Sequence, residues 1–164
     1  MTTTTTRGSA VVTLPADDQI LIVREFAAPA AAVFRAWTEP ELVKRWWAGT
    51  KGHVTSADVD LRVGGTWRWV MEATGGFEVA FHGEYREIVP GERLVFTEVF
   101  EGIPDADAAY AVTSLDFTEV DGRTTLSMHV LHQTRAHRDM HVESGMEEGM
   151  QTSLDALEDV AVAL

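Results

Sequence analysis

Apolar positions recur along the chain with two different periods, and the switch between them outlines the fold. "QILIVREF" (19–26) is rich in β-branched residues and reads as a strand. In "APAAAVFRAW" the spacing becomes helical: Val33 and Trp37 are four apart and share a face, and Pro29 stands near the helix start, where its missing N–H costs nothing. Thr38 and Glu41 match a T-x-x-E capping box, which predicts that a second helix begins there. In that helix Leu42 precedes Trp46 by four, as Val43 precedes Trp47, so two short amphipathic helices with buried indoles are expected.

From His53 onward the period is two. "VTSADVDLRV" (54–63) alternates and ends at Gly64-Gly65, a bulge or tight turn. "TWRWVME" (66–72) aligns Trp67, Trp69 and Met71, and "FEVAFHGEYREI" (77–88) aligns Phe77, Val79, Phe81, Gly83 and Tyr85. Pro90-Gly91 predicts a turn before "RLVFTEVFE" (93–101). Asp121-Gly122 separates "YAVTSLDFTEV" from "RTTLSMHVL", a strong hairpin signal. The stretch from His137 to Leu164 returns to helical spacing: Met146, Met150, Leu154, Leu157, Ala161 and Leu164 form one stripe, and Gly145, Gly149, Ser153, Ala156 and Val160 a smaller one beside it. The order is strand, two helices, six strands and one long helix. It predicts an α+β domain in which a seven-stranded antiparallel sheet wraps the C-terminal helix. One domain is expected over 19–164, with residues 1–18 a disordered tail that has room for an extra strand.

Composition narrows the chemistry. The 164 residues carry a net charge of −13 and no visible basic cluster, which argues against nucleic acid and anionic membranes as partners. The absence of cysteine excludes disulfides, thiolate metal sites and cysteine nucleophiles. "MTTTTTRGSAVVTLPADD" lacks the apolar core of a signal peptide, no run is long enough to span a bilayer, and cytoplasmic residence is the default expectation. Motifs for serine acyl transfer or P-loop phosphate chemistry are absent.

Several segments resemble the family named after the activator of Hsp90 ATPase: "FAAPAAAVFRAWTEPELVKRWW", "DLRVGGTWRWVM", "HGEYREIVPGERLVFTEVF" and "GMEEGMQTSLDALEDV". That family lies in the helix-grip (START, Bet v 1-like, polyketide cyclase) superfamily, and the resemblance covers about residues 19 to 164 in the family's order. It implies a deep cavity between sheet and C-terminal helix that accepts apolar small molecules. The superfamily includes carriers, cyclases and antibiotic-resistance proteins, so the resemblance transfers no catalytic residue. Where relatives often carry Gly-Trp in the last helix, this chain has Gly149-Met150. The family's co-chaperone role belongs to eukaryotic proteins with a further N-terminal client-binding domain, for which this chain has no room.

The resemblance and the strand faces together nominate a site. The expected ligand is a small hydrophobic or aromatic molecule, lined by Trp67, Trp69, Met71, Phe81, Phe100, Tyr110, Met128, Met146 and Met150; each taken singly can also be plain core. Leu94, Phe96, Glu98 and Phe100 share a strand face. If that face is interior, Glu98 is a carboxylate among aromatics, either raised in pKa for general acid–base work or satisfied by an Arg or Tyr; a slipped register puts it in solvent. His132 shares parity with Leu126, Met128 and Val130 and is the inward histidine, unlike His129; an ordinary strand-end histidine is the other reading. Glu98 and His132 are thus the catalytic candidates for cyclase- or hydrolase-like chemistry. Glu98, Tyr110 and His132 are the candidate polar groups for orienting a ligand. His137 and His141 are four apart, but no third ligand is evident, so no metal and no cofactor is expected and both read as a solvated first turn. Asp58 and Asp60 read as solvent-side acids, with Asp60 and Arg62 in cross-strand pairs. The competing reading is a protein-interaction or chaperone-linked module without a ligand, with an exposed apolar patch around Trp46 and Trp47. A homodimer is compatible with either, since sheet edges must be managed.

Overall fold

The computed structural model describes residues 9–164. The strands are β1 (Val11–Thr13), β2 (Gln19–Phe26), β3 (Gly52–Val59), β4 (Thr66–Ala73), β5 (Glu78–Val89), β6 (Arg93–Phe100), β7 (Ala111–Val120) and β8 (Arg123–Leu131). They form one antiparallel sheet in the order β1-β2-β8-β7-β6-β5-β4-β3. Helices α1 (Ala30–Thr38) and α2 (Pro40–Trp46) connect β2 to β3, while α3 (Arg135–Glu143) and α4 (Met146–Val162) follow β8. This is the expected α+β helix-grip architecture, with eight strands rather than seven. The extra strand, β1, pairs Val11 with Val23 and Thr13 with Leu21. The threonine run expected to be disordered, residues 2–6, lies outside the described residues.

Three local expectations are corrected. The T-x-x-E capping box does not form. Pro40 disfavours helical backbone at the residue before it, and Glu39 is accordingly extended (φ −94°, ψ 119°). Thr38 therefore closes α1, and its hydroxyl donates back to the Phe34 carbonyl at 2.9 Å instead of capping α2, which starts on Pro40 with Glu39 as N-cap. The single C-terminal helix is two helices. Gly145 takes a left-handed conformation (φ 82°), which ends α3 and redirects the chain into α4. Finally, β3 stops at Val59, so Asp60 and Arg62 pair with each other inside the following turn at 2.8 Å, not across strands. The Asp121-Gly122 turn behaves as expected: both residues have positive φ (52° and 75°), and Val120 pairs with Arg123 across it.

The inner face of the sheet and the apolar sides of the helices form one core, containing Ile20, Ile22, Phe26, Leu115 and Leu126 with Leu154, Leu157 and Val160 of α4. A buried ion pair fastens the C-terminal half of α4. Arg24 occupies an inward position on β2, between Ile22 and Phe26, and is 2% exposed. Its guanidinium donates to Asp155 at 2.8 Å and to Glu158 at 3.4 Å, and Glu158 also accepts the Ala27 N–H at 2.9 Å. The alternation of "QILIVREF" marks Arg24 as inward, but its partners lie more than 130 residues away. The N-terminal half of α4 is held by hydrogen bonds instead: Gln151 accepts the Ala10 N–H at 2.9 Å and donates to the Ala10 carbonyl at 3.0 Å beside β1, and Ser153 donates its hydroxyl to the Trp47 carbonyl at 2.7 Å.

Candidate functional site

Between the sheet and the helices α3 and α4 lies a cavity in two adjoining lobes of about 380 and 270 Å³. The larger is walled by β4, β5 and β6 on one side and by Met146, Gly149, Met150 and Ser153 of α4 on the other. It is lined by an aromatic cluster centred on Trp69. Ring centroids of Trp67, Trp47, Trp46 and Trp37 lie 5.1, 5.5, 5.9 and 6.1 Å from it, so all five tryptophans converge here. The convergence follows from local structure: α1 and α2 present Trp37, Trp46 and Trp47 to the inward positions of β4. Trp46 is 2% exposed and donates its indole N–H to the Ala36 carbonyl at 2.7 Å, joining the two helices. Trp67 donates to the Thr97 carbonyl at 3.2 Å. Among the described residues the buried indole N–H groups of Trp37 and Trp69 have no hydrogen-bond partner. The tryptophan-rich segment is thus a cavity wall, with its charges outside: Arg35 pairs with Glu39 at 2.6 Å and Lys44 with Glu41 at 3.2 Å.

The smaller lobe lies under the β6–β7 connection, lined by Phe100, Ile103, Ala109, His132, His137 and Met140. Val79, Phe81, Glu98, Val130, His141 and Ser144 line both lobes and form their common wall. Polar chemistry concentrates there. The Thr113 hydroxyl donates to Glu98 Oε1 at 2.9 Å, and His132 Nε2 is hydrogen-bonded to His141 Nδ1 at 3.0 Å. Burial, reinforced by the neighbouring imidazoles of His141 and His137, pushes His132 down to about 4. Burial also lowers His141, against an opposing pull from the negative charge of Glu98. In the larger lobe, burial raises the Tyr85 hydroxyl and holds it protonated.

Of the residues nominated from sequence, Trp67, Trp69, Met71, Phe81, Met128, Met146 and Met150 line the larger lobe. Phe100 and His132 line the smaller one, and Glu98 faces both. Tyr110 lies outside both: Arg86 sits over its ring at 5.6 Å, and hydrogen bonds to Gln133 and Arg86 lower its pKa. His137 and His141 are not a solvated first turn, since both line the cavity. The first turn of α3 is capped instead by Thr134, whose hydroxyl oxygen accepts the His137 N–H at 3.1 Å. Among the described residues no three His, Asp or Glu side chains are arranged to hold a metal. Reading from sequence missed Trp37, Trp46 and Trp47 as lining groups, and His141 and Thr113 as polar ones. The parity of "YAVTSLDF" was a usable signal for Thr113; none existed for His141, whose position depends on the break at Gly145.

A different polar cluster lies away from this cavity. His82 sits between Glu101 and Asp107, at 2.7 and 2.9 Å, and Arg68 makes two 3.0 Å bonds to Glu101. Arg68 and His82 together hold Glu101 down at about 2.

Comparison with known proteins agrees with this fold. A protein from Rhodobacter sphaeroides superposes with a TM-score of 0.85 at 23% identity, covering 94% of this chain and 99% of that one. One from Nitrosomonas europaea gives 0.80 at 26% identity, over 92% and 97%. One from Mycobacterium smegmatis gives 0.82 at 21% identity, over 94% and 99%. A search of curated proteins returned no match. Among the described residues no helix is long and apolar enough to cross a membrane. The helix-grip fold is generally a ligand-binding scaffold, and the family model for activator of Hsp90 ATPase homolog 1-like proteins matches residues 27–161, so the chain belongs to that family.

Proposed function

We propose that this protein binds a small apolar or aromatic molecule in the two-lobed cavity between its sheet and the helices α3 and α4. The observation that supports this most is the space itself. The larger lobe, about 380 Å³, is walled by indole, phenyl and thioether groups. A pocket of a few hundred Å³ that is mostly apolar with a few converging polar groups is the usual form of a small-molecule site. Binding would draw on burial of the ligand's apolar area, worth about 25 cal/mol per Å². Thioethers at Met71, Met128, Met146 and Met150 let the wall adjust to different ligand shapes. Glu98 and His141 would orient the ligand, and His132 would act through its bond to His141. Any acid–base chemistry on the ligand would fall to that set.

The test uses the tryptophans as reporters. Because all five indoles converge on the larger lobe, naphthalene entering it should quench intrinsic fluorescence saturably. Native mass spectrometry of freshly purified protein, compared with the denatured mass, looks for a ligand already present. Linear, non-saturating quenching together with a clean apo mass would remove the ligand-binding reading and favour the protein-interaction module.

A further inference from the structure

The common wall of the two lobes constrains the ligand's polar end. Glu98 stands there with one oxygen occupied, Oε1 by the Thr113 hydroxyl at 2.9 Å. Among the described residues its Oε2 has no protein partner, nor does His141 Nε2, since His141 is bonded to His132 only through Nδ1. Neither atom is among the buried polar atoms sealed off from contact. A free carboxylate oxygen is an acceptor only. Inside an apolar cavity it rewards a donor and repels a negative charge far more strongly than it would in water.

The surroundings supply little positive charge to reverse that preference. Among the described residues Lys51 is the one lysine or arginine lining either lobe, and its ammonium pairs with Glu148 at 2.8 Å. The imidazoles of His132 and His141 are kept neutral by burial. The chain as a whole carries a charge of −13, which opposes the approach of anions.

Resting on the cavity reading above, we infer that the ligand is an apolar body bearing a non-anionic hydrogen-bond donor, an alcohol, phenol or amine, presented to Glu98, and that carboxylates, sulfates and phosphates are rejected. A hydroxyl suits the site best, because it donates to Glu98 Oε2 while its own oxygen can accept from His141. Thr113 holds the carboxylate in place for this contact. It is a positioning residue.

Three probes with the same ring system separate the terms: naphthalene, 2-naphthol and 2-naphthoate, titrated at pH 7.5 against wild-type protein and Glu98→Gln. Wild type should bind 2-naphthol at least tenfold more tightly than 2-naphthoate, with naphthalene between them. A charge-assisted hydrogen bond is typically worth a factor of about 10 to 100. Glu98→Gln should shrink the naphthol-to-naphthoate ratio to within about threefold, as expected for loss of a charge with little change in shape. Equal binding of naphthol and naphthoate by wild type overturns the inference and leaves the cavity reading standing. So does a ratio that survives in a folded Glu98→Gln protein. If none of the probes binds folded wild type, the cavity reading falls and this inference with it. The wild-type comparison decides the question even if the variant does not fold.

Discussion

Gly149 offers a way to separate ligand binding from folding. It is the fourth residue of α4 and lines the larger lobe. A Cβ built there meets nothing within 4 Å. Glycine inside a helix costs roughly 0.5–1 kcal/mol relative to alanine, so Gly149→Ala should stabilise the protein by about that amount. For a chain of this length that is a rise in melting temperature of roughly 2–4 °C per kcal/mol. Gly149→Leu should keep most of this gain, while its Cγ and two Cδ atoms enter space a ligand would use. Each displaced carbon of ligand costs about 0.8 kcal/mol, so three cost about 2.4 kcal/mol, a loss of roughly 60-fold in affinity. Calorimetric melting and naphthalene quenching on wild type, Gly149→Ala and Gly149→Leu give both quantities. The expected signature is opposite movement in the leucine variant: higher melting temperature, much weaker binding. A leucine variant that melts below wild type would show that the added side chain meets packed atoms. One that binds naphthalene as well as wild type would place the ligand elsewhere.

Two further outcomes follow from buried charge. Arg24→Met removes the guanidinium that pairs with the Glu158 carboxylate, 2% exposed, and should cost about 3–5 kcal/mol in urea unfolding. Arg24→Met combined with Glu158→Met should recover a large part of that loss, whereas additive losses would show that the two groups do not act as a pair. The second outcome concerns pH. His132 has a folded-state pKa of about 4 against an ordinary 6.5, so the unfolded chain binds the extra proton first. Its neutral form therefore supports the fold fully above pH 6.5, and that support is lost as pH falls from 6.5 through 4. Glu101, held near 2, loses its own contribution in a lower window, below its ordinary value of 4.5. Urea midpoints at pH 7.5 and 4.5 should therefore fall more for wild type than for His132→Asn. Equal falls would refute the assignment to His132.

The alternation and helical spacing of apolar residues determined the element order, the inward faces of β4 to β8 and part of the cavity wall. Each of those depends on neighbours two, three or four positions away, a range over which backbone geometry dictates which side chains share a face. Glu98 shows where that range ends. Parity put it on the face of Leu94 and Phe96, but the choice between interior and solvent waited on the pairing of Glu98 with Ala111, which brings Thr113 alongside. The capping box failed because Pro40, between Thr38 and Glu41, imposes a stronger local constraint that holds Glu39 extended. Gly145 was read as part of a small-residue stripe, when its left-handed conformation breaks the helix and turns His141 toward His132 and Glu98. The convergence of five indoles on Trp69, the burial of Arg24 against Asp155 and Glu158, and the space left over Gly149 were decided by tertiary structure. They bring together residues tens to more than a hundred positions apart, and no periodicity records how closely a helix approaches the sheet it covers.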